Sequence, residues 1–207
     1  MLKKILVPTD FSDCAMYATD YAVQLAQEQN AVIHLLHRVH LHPLWDVMTE
    51  SEKKAYPESR FWEKVTLREF KKIQDQYKES GVEIKTHYTH GDLIPLINEF
   101  IDQLGVDIIV MGSSGANGFR ELIFGSNAQK VVRRLNKPVI IVKNPPIRSE
   151  IKNIVFASDF YMGIQQGFNQ LCEFAEIQHA KLHLVNISSF PKFQLSMDDK
   201  SRMLVFA

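Results

Sequence analysis

The chain contains very little cysteine: only Cys14 and Cys172 occur among its 207 residues. Two isolated cysteines cannot build a disulfide scaffold or a zinc site, because both need clustered ligands. No apolar run approaches the ~18 residues that a membrane-spanning helix needs. The start, MLKKILVPTD, has no apolar core or cleavage site of a secretion signal. We therefore expect a cytoplasmic protein without a membrane partner.

A net charge is also absent, because 24 Lys and Arg balance 24 Asp and Glu. Nucleic acids and anionic membranes bind basic surfaces, so this balance argues against either as the main partner. The sequence shows no paired-carboxylate or nucleophile–base motif of the kind that a dedicated catalyst uses. Asp10 and Asp13 lie close together, but Ser12 is better interpreted as a helix cap and Asp13 as a first-turn acid.

Apolar runs and segments with helical spacing alternate along the chain. Five runs predict strands: KILVP, AVIHLLHRV, VEIKTHY, VDIIVMG and KPVIIVK. Near-continuous apolar strands, each followed by a helix, indicate a parallel α/β sheet with helices on both faces. Such sheets bind ligands beyond the carboxyl ends of their strands. Here those ends carry PTD after the first strand and GSSG after the fourth.

The chain repeats its own beginning. Residues 4–37 align without a gap with a segment 149 residues further on, where Asp159 matches Asp10. We expect a first domain at residues 1–144, a proline-containing linker at 145–150 and an incomplete second domain at 151–207. The second copy is either part of a longer two-domain protein, or it is completed by another chain or packs on the first domain.

A glycine-rich segment, MGSSGANGFRELIFGSN, joins the fourth strand to the next helix. Its spacing is Gly112, two residues, Gly115, nine residues, Gly125 and Ser126. Glycines let a ligand approach the backbone, successive N–H groups bind anions, and a helix N-terminus adds a positive dipole. Strand–helix turns are often glycine-rich for structural reasons alone, but four glycines opposite an aspartate loop favour a phosphate site. The spacing fits neither a P-loop nor the dinucleotide fingerprint.

Taken together, ILVPTDFS, VDIIVMGSSG, FGSNAQKVVRR and KPVIIVK resemble the universal stress protein family over the whole first domain. The glycine spacing resembles that of the family's ATP-binding branch, and the repeat resembles its tandem-domain members. The resemblance implies a Rossmann-like parallel sheet of five strands in the order 3-2-1-4-5. It also implies ATP as the ligand, with Mg²⁺ as a companion ion.

The resemblance places an adenine nucleotide between the two loops, with Asp10 against the base and the glycines along ribose and phosphates. The implied site residues are Pro8, Thr9, Asp10, Arg38, Met111, Gly112, Ser113, Gly115, Gly125, Ser126 and Asn127. Arg38 stands where the family usually has an aliphatic residue, so it either stacks on the base or fills the pocket. Ala116 replaces a basic residue that often follows the second glycine.

Four histidines occur close together in the sequence: His34, His37, His40 and His42. His34 and His37 face opposite sides of a strand, and His40 and His42 follow in the next loop. No second group of ligands accompanies them at metal spacing, so we do not expect a metal site.

The segment between the second strand and a helix predicted from Trp62 to Ser80 is rich in aromatic residues. Trp45, Tyr56, Phe61 and Trp62 lie among charged residues in and at the end of this proline-containing stretch. They form a lid over the crevice, a partner surface or aromatic packing on the sheet.

The predicted function is that of a nucleotide-binding regulatory module of the stress response, with the two domains paired or the chain forming a homodimer. Two alternatives are a nucleotide-independent interaction module, in which Arg38 blocks the crevice, and a slow ATPase.

Overall fold

The computed structural model describes residues 2–113, 125–145, 151–158 and 164–186. The chain divides into two compact units, Met1–Ile147 and Arg148–Ala207. In the described residues, each unit contains its own parallel sheet, of five strands in the first and two in the second. The predictions made for Gly115, Ala116 and Asp159 concern residues outside the described ranges.

The first unit is the predicted α/β fold. Its strands are β1 (Lys4–Thr9), β2 (Val32–Arg38), β3 (Ile84–Thr89), β4 (Ile108–Gly112) and β5 (Val139–Val142). All pairs are parallel, and the order is β3-β2-β1-β4-β5. This confirms the order 3-2-1-4-5. β1 is buried from Ile5 to Thr9 and β2 from Ile33 to Leu36, as expected for strands covered on both faces.

Helices connect the strands: α1 (Asp13–Gln29), α2 (Glu50–Lys53), α3 (Pro57–Gln76), α4 (Leu93–Leu104) and α5 (Ser126–Arg134). The Ser12 side chain accepts a hydrogen bond from the Ala15 N–H, which confirms Ser12 as the N-cap of α1. Ala18 and Ala22 are buried, and their small side chains let α1 lie close to the sheet, where it packs against β1 and β4. No described helix is long and apolar enough to span a bilayer.

The bounds of α3 differ from those predicted. The helix begins at Pro57 rather than Trp62 and ends at Gln76 rather than Ser80. Proline suits the first helical position, because its fixed φ matches the helix and its missing N–H has no intrahelical acceptor there. The preceding stretch is more regular than expected, since α2 begins with a capping box between Thr49 and Glu52.

The core of the first unit lies on both faces of the sheet. On one face, Leu6 of β1 and Leu36 of β2 belong to a buried cluster with residues of α4 and α5, including Ile97, Ile101 and Val131. On the other face, Phe70 and Ile73 of α3 are buried, as are the small residues of α1.

The described part of the second unit contains β6 (Asn153–Ser158), α6 (Gln165–Ile177) and β7 (Lys181–Asn186). The pairing Asn153↔Lys181 is the pairing Lys4↔Val32 displaced by 149 residues along both strands. The burial differs sharply, however. Val155 is 62% exposed and Val185 is 41% exposed, whereas the first-unit residues at the matching positions are buried.

Candidate functional site

The candidate site lies at the carboxyl ends of β2, β1 and β4, which are adjacent in the sheet. β1 lies in the middle of the sheet, with β2 on one side of it and β4 on the other. Parallel sheets open a ligand crevice at such a reversal of strand order. Thr9, Arg38 and Gly112 are the last residues of these three strands. The fold therefore brings the predicted aspartate loop, Arg38 and the start of the glycine segment to one edge.

The predicted site residues differ in exposure. Four of those that the structure describes are buried: Pro8, Thr9, Met111 and Ser113. Met111 also belongs to the core cluster. The exposed ones are Asp10, Arg38, Ser126 and Asn127, while Gly112 and Gly125 are half-buried. The exposed carboxylate, guanidinium and hydroxyl groups are thus the ones that solvent or a ligand can reach, whereas the buried residues can only shape the site.

The loop after β1 is held by its own hydrogen bonds. Asp10 Oδ1 accepts from the Ser12 N–H at 3.1 Å and from the Ser12 hydroxyl at 2.5 Å. The Phe11 N–H donates to Thr9 Oγ1 at 3.0 Å. Phe11 has a φ of 61°, in the left-handed region that bulky side chains rarely adopt. This short turn directs the chain from the strand into α1 and presents Asp10 at the edge.

A second support for this loop comes from β2. His37 Nδ1 lies 2.8 Å from the Thr9 carbonyl oxygen. Because a carbonyl only accepts, Nδ1 carries the proton in this bond. Burial lowers the pKa of His37, so the ring is neutral at physiological pH. The sequence suggested His37 only as a candidate metal ligand and gave no sign of this contact. The parallel register that pairs Thr9 with His37 is what reveals it.

Arg38 ends β2 with its side chain exposed. Among the described residues, no carboxylate forms an ion pair with it. A guanidinium in this position presents its donors and its planar face to solvent at the carboxyl edge. It is therefore available to an anionic or aromatic ligand.

The two ends of the glycine segment meet. The Gly125 N–H donates to the Ser113 carbonyl oxygen at 2.7 Å, and the Ser113 N–H donates to the Val142 carbonyl oxygen at 2.9 Å. Gly125 precedes α5, whose first turn contains Ser126 and Asn127. The first N–H groups of a helix have no intrahelical acceptor. The two ends of the segment, Ser113 and Gly125, are therefore hydrogen-bonded to each other at the carboxyl edge of the sheet, beside the positive end of the α5 dipole.

Gly112 has a structural role that the sequence did not show. A Cβ at this position would lie 2.7 Å from the Cys14 carbonyl oxygen and 3.1 Å from the Ala15 nitrogen. The missing side chain thus lets the first turn of α1 rest directly on the end of β4. The close approach visible in the structure is between two backbones of the protein itself.

We expect Gly112→Ala to lower the free energy of unfolding by about 1–3 kcal/mol, because backbone rather than a mobile side chain must move. Urea denaturation followed by circular dichroism measures this change. Gly167→Ala is the matched control, since Gly167 lies in α6 and a Cβ added there would meet no atom within 4 Å. Alanine there should be neutral or stabilising. Equal effects of the two substitutions would contradict this account.

The other histidines do not gather around His37. His34 faces the opposite side of the sheet, as predicted, and its Nδ1 lies 3.0 Å from His87 Nε2. Burial lowers the pKa of His34 to about 4, with a smaller contribution from His87. Among the described residues, no group of three or more His, Cys, Asp or Glu side chains is arranged to hold a metal ion.

The aromatic residues near α3 divide into buried and exposed ones. Trp45 is 1% exposed, and its Nε1–H donates to Glu63 Oε1 at 2.9 Å. The Tyr88 hydroxyl of β3 donates to the same oxygen at 2.8 Å. Burial, reinforced by this bond, raises the pKa of Tyr88 to about 12. Trp45 therefore packs in the interior, whereas Phe61 and Trp62 are exposed.

The sequence and the fold of this chain are similar to those of known proteins. Residues 1–143 match the model of the universal stress protein family. Universal stress protein MJ0531 of Methanocaldococcus jannaschii is 30% identical over 153 residues, 70% of this chain and 84% of that protein. Universal stress protein YxiE of Bacillus subtilis is 32% identical over 148 residues, 69% of this chain and 100% of that protein. The solved structure of MJ0577 covers 71% of this chain and 99% of its own, with a TM-score of 0.57 and 28% identity.

Proposed function

The chain belongs to the universal stress protein family, and from this premise we propose that its first domain is a regulatory module that binds ATP. The nucleotide occupies the crevice at the carboxyl ends of β2, β1 and β4. Its binding changes the conformation or the partner affinity of the protein in a stress response. Slow hydrolysis of the bound ATP is a further outcome that the same site allows.

The observation that carries this proposal is the convergence of complementary groups at one edge of the sheet. Asp10 is exposed after β1, Arg38 is exposed at the end of β2, and α5 begins beside the end of β4. A carboxylate accepts hydrogen bonds from an amino group such as that of adenine, and a guanidinium stacks on an aromatic base. The N-terminus of α5, with its Ser126 hydroxyl, attracts phosphate. Base and phosphate groups thus have separate partners.

The exposure of Arg38 supports an open crevice over the alternative in which this side chain fills the pocket. A ligand that stacks on the guanidinium needs a reachable planar face, and the exposed position provides one. The phosphates would extend from the base toward Gly125 and Ser126, with Mg²⁺ accompanying them as in other nucleotide sites.

The two-domain organisation is part of the proposal. We assign residues 1–144 to the nucleotide-binding domain, 145–150 to a linker and 151–207 to part of a second domain of the same type. The division of the chain into units at Ile147 and Arg148 supports these bounds, as does the shared register of β1–β2 and β6–β7. Pairing of the two domains, or of two chains, would then transmit the nucleotide signal.

Calorimetric titration with ATP and with AMP tests the proposal. We expect ATP to bind more tightly than AMP, because only ATP carries the additional phosphates that the α5 terminus attracts. Gly115→Val should reduce the affinity at least about tenfold by filling space that the phosphate loop needs, and Gly167→Ala serves as the control. Absence of binding at millimolar nucleotide would contradict the proposal. Binding that appears only in Arg38→Val would instead show that Arg38 blocks the crevice.

A further inference from the structure

We propose that His37 is a positioning residue for the nucleotide site, acting through the Thr9 carbonyl to hold Asp10 in place. This inference rests on the proposed function, because its consequence is a change in nucleotide affinity. His37 itself points to the sheet face opposite to Arg38, so it supports the loop from behind instead of contacting the ligand.

The first step of the argument is the strain at Phe11. A phenylalanine with a φ of 61° is unfavourable and persists only where its surroundings impose it. Two rings hold it here. The His37 ring lies 4.4 Å from the Phe11 ring at 38°, and the Phe70 ring of α3 lies 5.4 Å away, edge to face at 75°. Strand β2 and helix α3 thus clamp the residue that follows Asp10.

The second step is the fixation of Thr9. Its carbonyl oxygen accepts from His37 Nδ1 at 2.8 Å, and its hydroxyl oxygen accepts from the Phe11 N–H at 3.0 Å. Thr9 is 7% exposed, so water does not replace either bond easily. The residue on the N-terminal side of Asp10 is therefore held from two directions.

The third step connects this clamp to both sides of the crevice. Asp10 lies between the fixed Thr9 and Phe11, and its carboxylate accepts from Ser12, which caps α1. The first turn of α1 rests on Gly112 at the start of the glycine segment. A shift of the turn after β1 would consequently move Asp10, and it would also disturb the contact between α1 and Gly112.

His34 offers a control built into the same strand. It is 4% exposed, and its Nδ1 makes a contact of 3.0 Å with His87 on the opposite face of the sheet. Removing either imidazole costs a partly buried hydrogen bond. Only the loss of His37 releases the Thr9 carbonyl and the Phe11 ring, so the two substitutions separate a positioning effect from general destabilisation.

The test compares full-length His37→Leu, His37→Asn and His34→Leu. We expect His37→Leu to weaken ATP binding about tenfold, which is the usual net contribution of one hydrogen bond. His37→Asn places an amide donor near the position of Nδ1, and it should recover the affinity to within about threefold of the parent. His34→Leu should lower thermal stability while leaving the affinity within about twofold.

Hydrogen exchange of the nucleotide-free protein provides a readout that does not depend on ligand. The Phe11 and Ser12 amides should exchange at least about tenfold faster in His37→Leu but not in His34→Leu. If His37→Leu does not fold, Phe70→Leu takes its place in the test, because it keeps an apolar side chain in α3. It should also accelerate the exchange of these two amides. Unchanged exchange at these amides, or an equal effect of His34→Leu on exchange or affinity, would overturn the inference. If the variants show the expected exchange pattern but the parent protein binds no nucleotide, only the proposed function is refuted.

Discussion

Trp45→Ala is expected to lower the free energy of unfolding by about 3–5 kcal/mol, the usual cost of removing a large buried aromatic side chain. Trp45 is 1% exposed, so alanine would leave a cavity between the loop after β2 and α3. Its loss also removes the indole donor to Glu63 and the ring under Lys53, whose Nζ lies 5.0 Å from the ring centre. Circular dichroism during urea unfolding measures the change without relying on tryptophan fluorescence.

Trp62→Ala is the matched control, because the chain has two tryptophans and the second is 43% exposed on α3. Alanine is a better helix former than tryptophan, so this substitution should alter the free energy of unfolding by less than about 1 kcal/mol. Comparable losses in the two variants would mean that Trp62 is also covered in solution. A small loss in Trp45→Ala would show that the loop after β2 does not pack as described.

Leu6→Ala should cost about 2–5 kcal/mol, because Leu6 is fully buried in the cluster that joins β1 to α4 and α5. Leu6 pairs with Ile109 of β4 and with His34 of β2 in the sheet register, so a cavity at this position is flanked by strands on both sides. Rigid strands on both sides limit the collapse that would reduce the penalty. Differential scanning calorimetry is the suitable measurement, since it registers the unfolding of both units.

The repeat supplies the comparison for this substitution. Val155 occupies the position in β6 that Leu6 occupies in β1, yet it is 62% exposed. Val155→Ala should therefore change the stability by less than about 1 kcal/mol, mainly through the lower strand propensity of alanine. A loss as large as that for Leu6→Ala would mean that a partner, or another copy of the chain, covers this face in solution.

Much of the fold follows from local patterns in the sequence. The apolar runs that form β1, β2 and β4 predict buried strands of a parallel sheet, and the structure confirms such a sheet. The order of the strands was implied by the family resemblance, and the structure confirms it too. Ser12 is recognisable as a cap because its hydroxyl needs only an N–H three residues away. The prediction for the start of α3 was wrong, since a proline such as Pro57 can begin a helix or belong to an irregular stretch.

The location of the candidate site was also predictable, but its support was not. A general rule for parallel sheets predicts a crevice between the aspartate loop and the glycine segment, and the structure brings Asp10, Arg38 and Gly125 to that edge. The sequence pattern suggested a ligand-facing role for Gly112, whereas the structure shows the α1 backbone against it. Both roles require a missing side chain, so the sequence alone could not distinguish them.

The sequence by itself determined the class of fold and the succession of strands and helices along the chain, because hydrophobic periodicity and capping act over only a few residues. It also indicated the edge of the sheet where the candidate site lies. The tertiary structure alone decided that His37 holds Thr9, that Trp45 is buried, and that Val155 is exposed while Leu6 is not. These outcomes depend on contacts between residues far apart in the chain. Register, packing and the presence of covering helices create such contacts, and no local pattern encodes them.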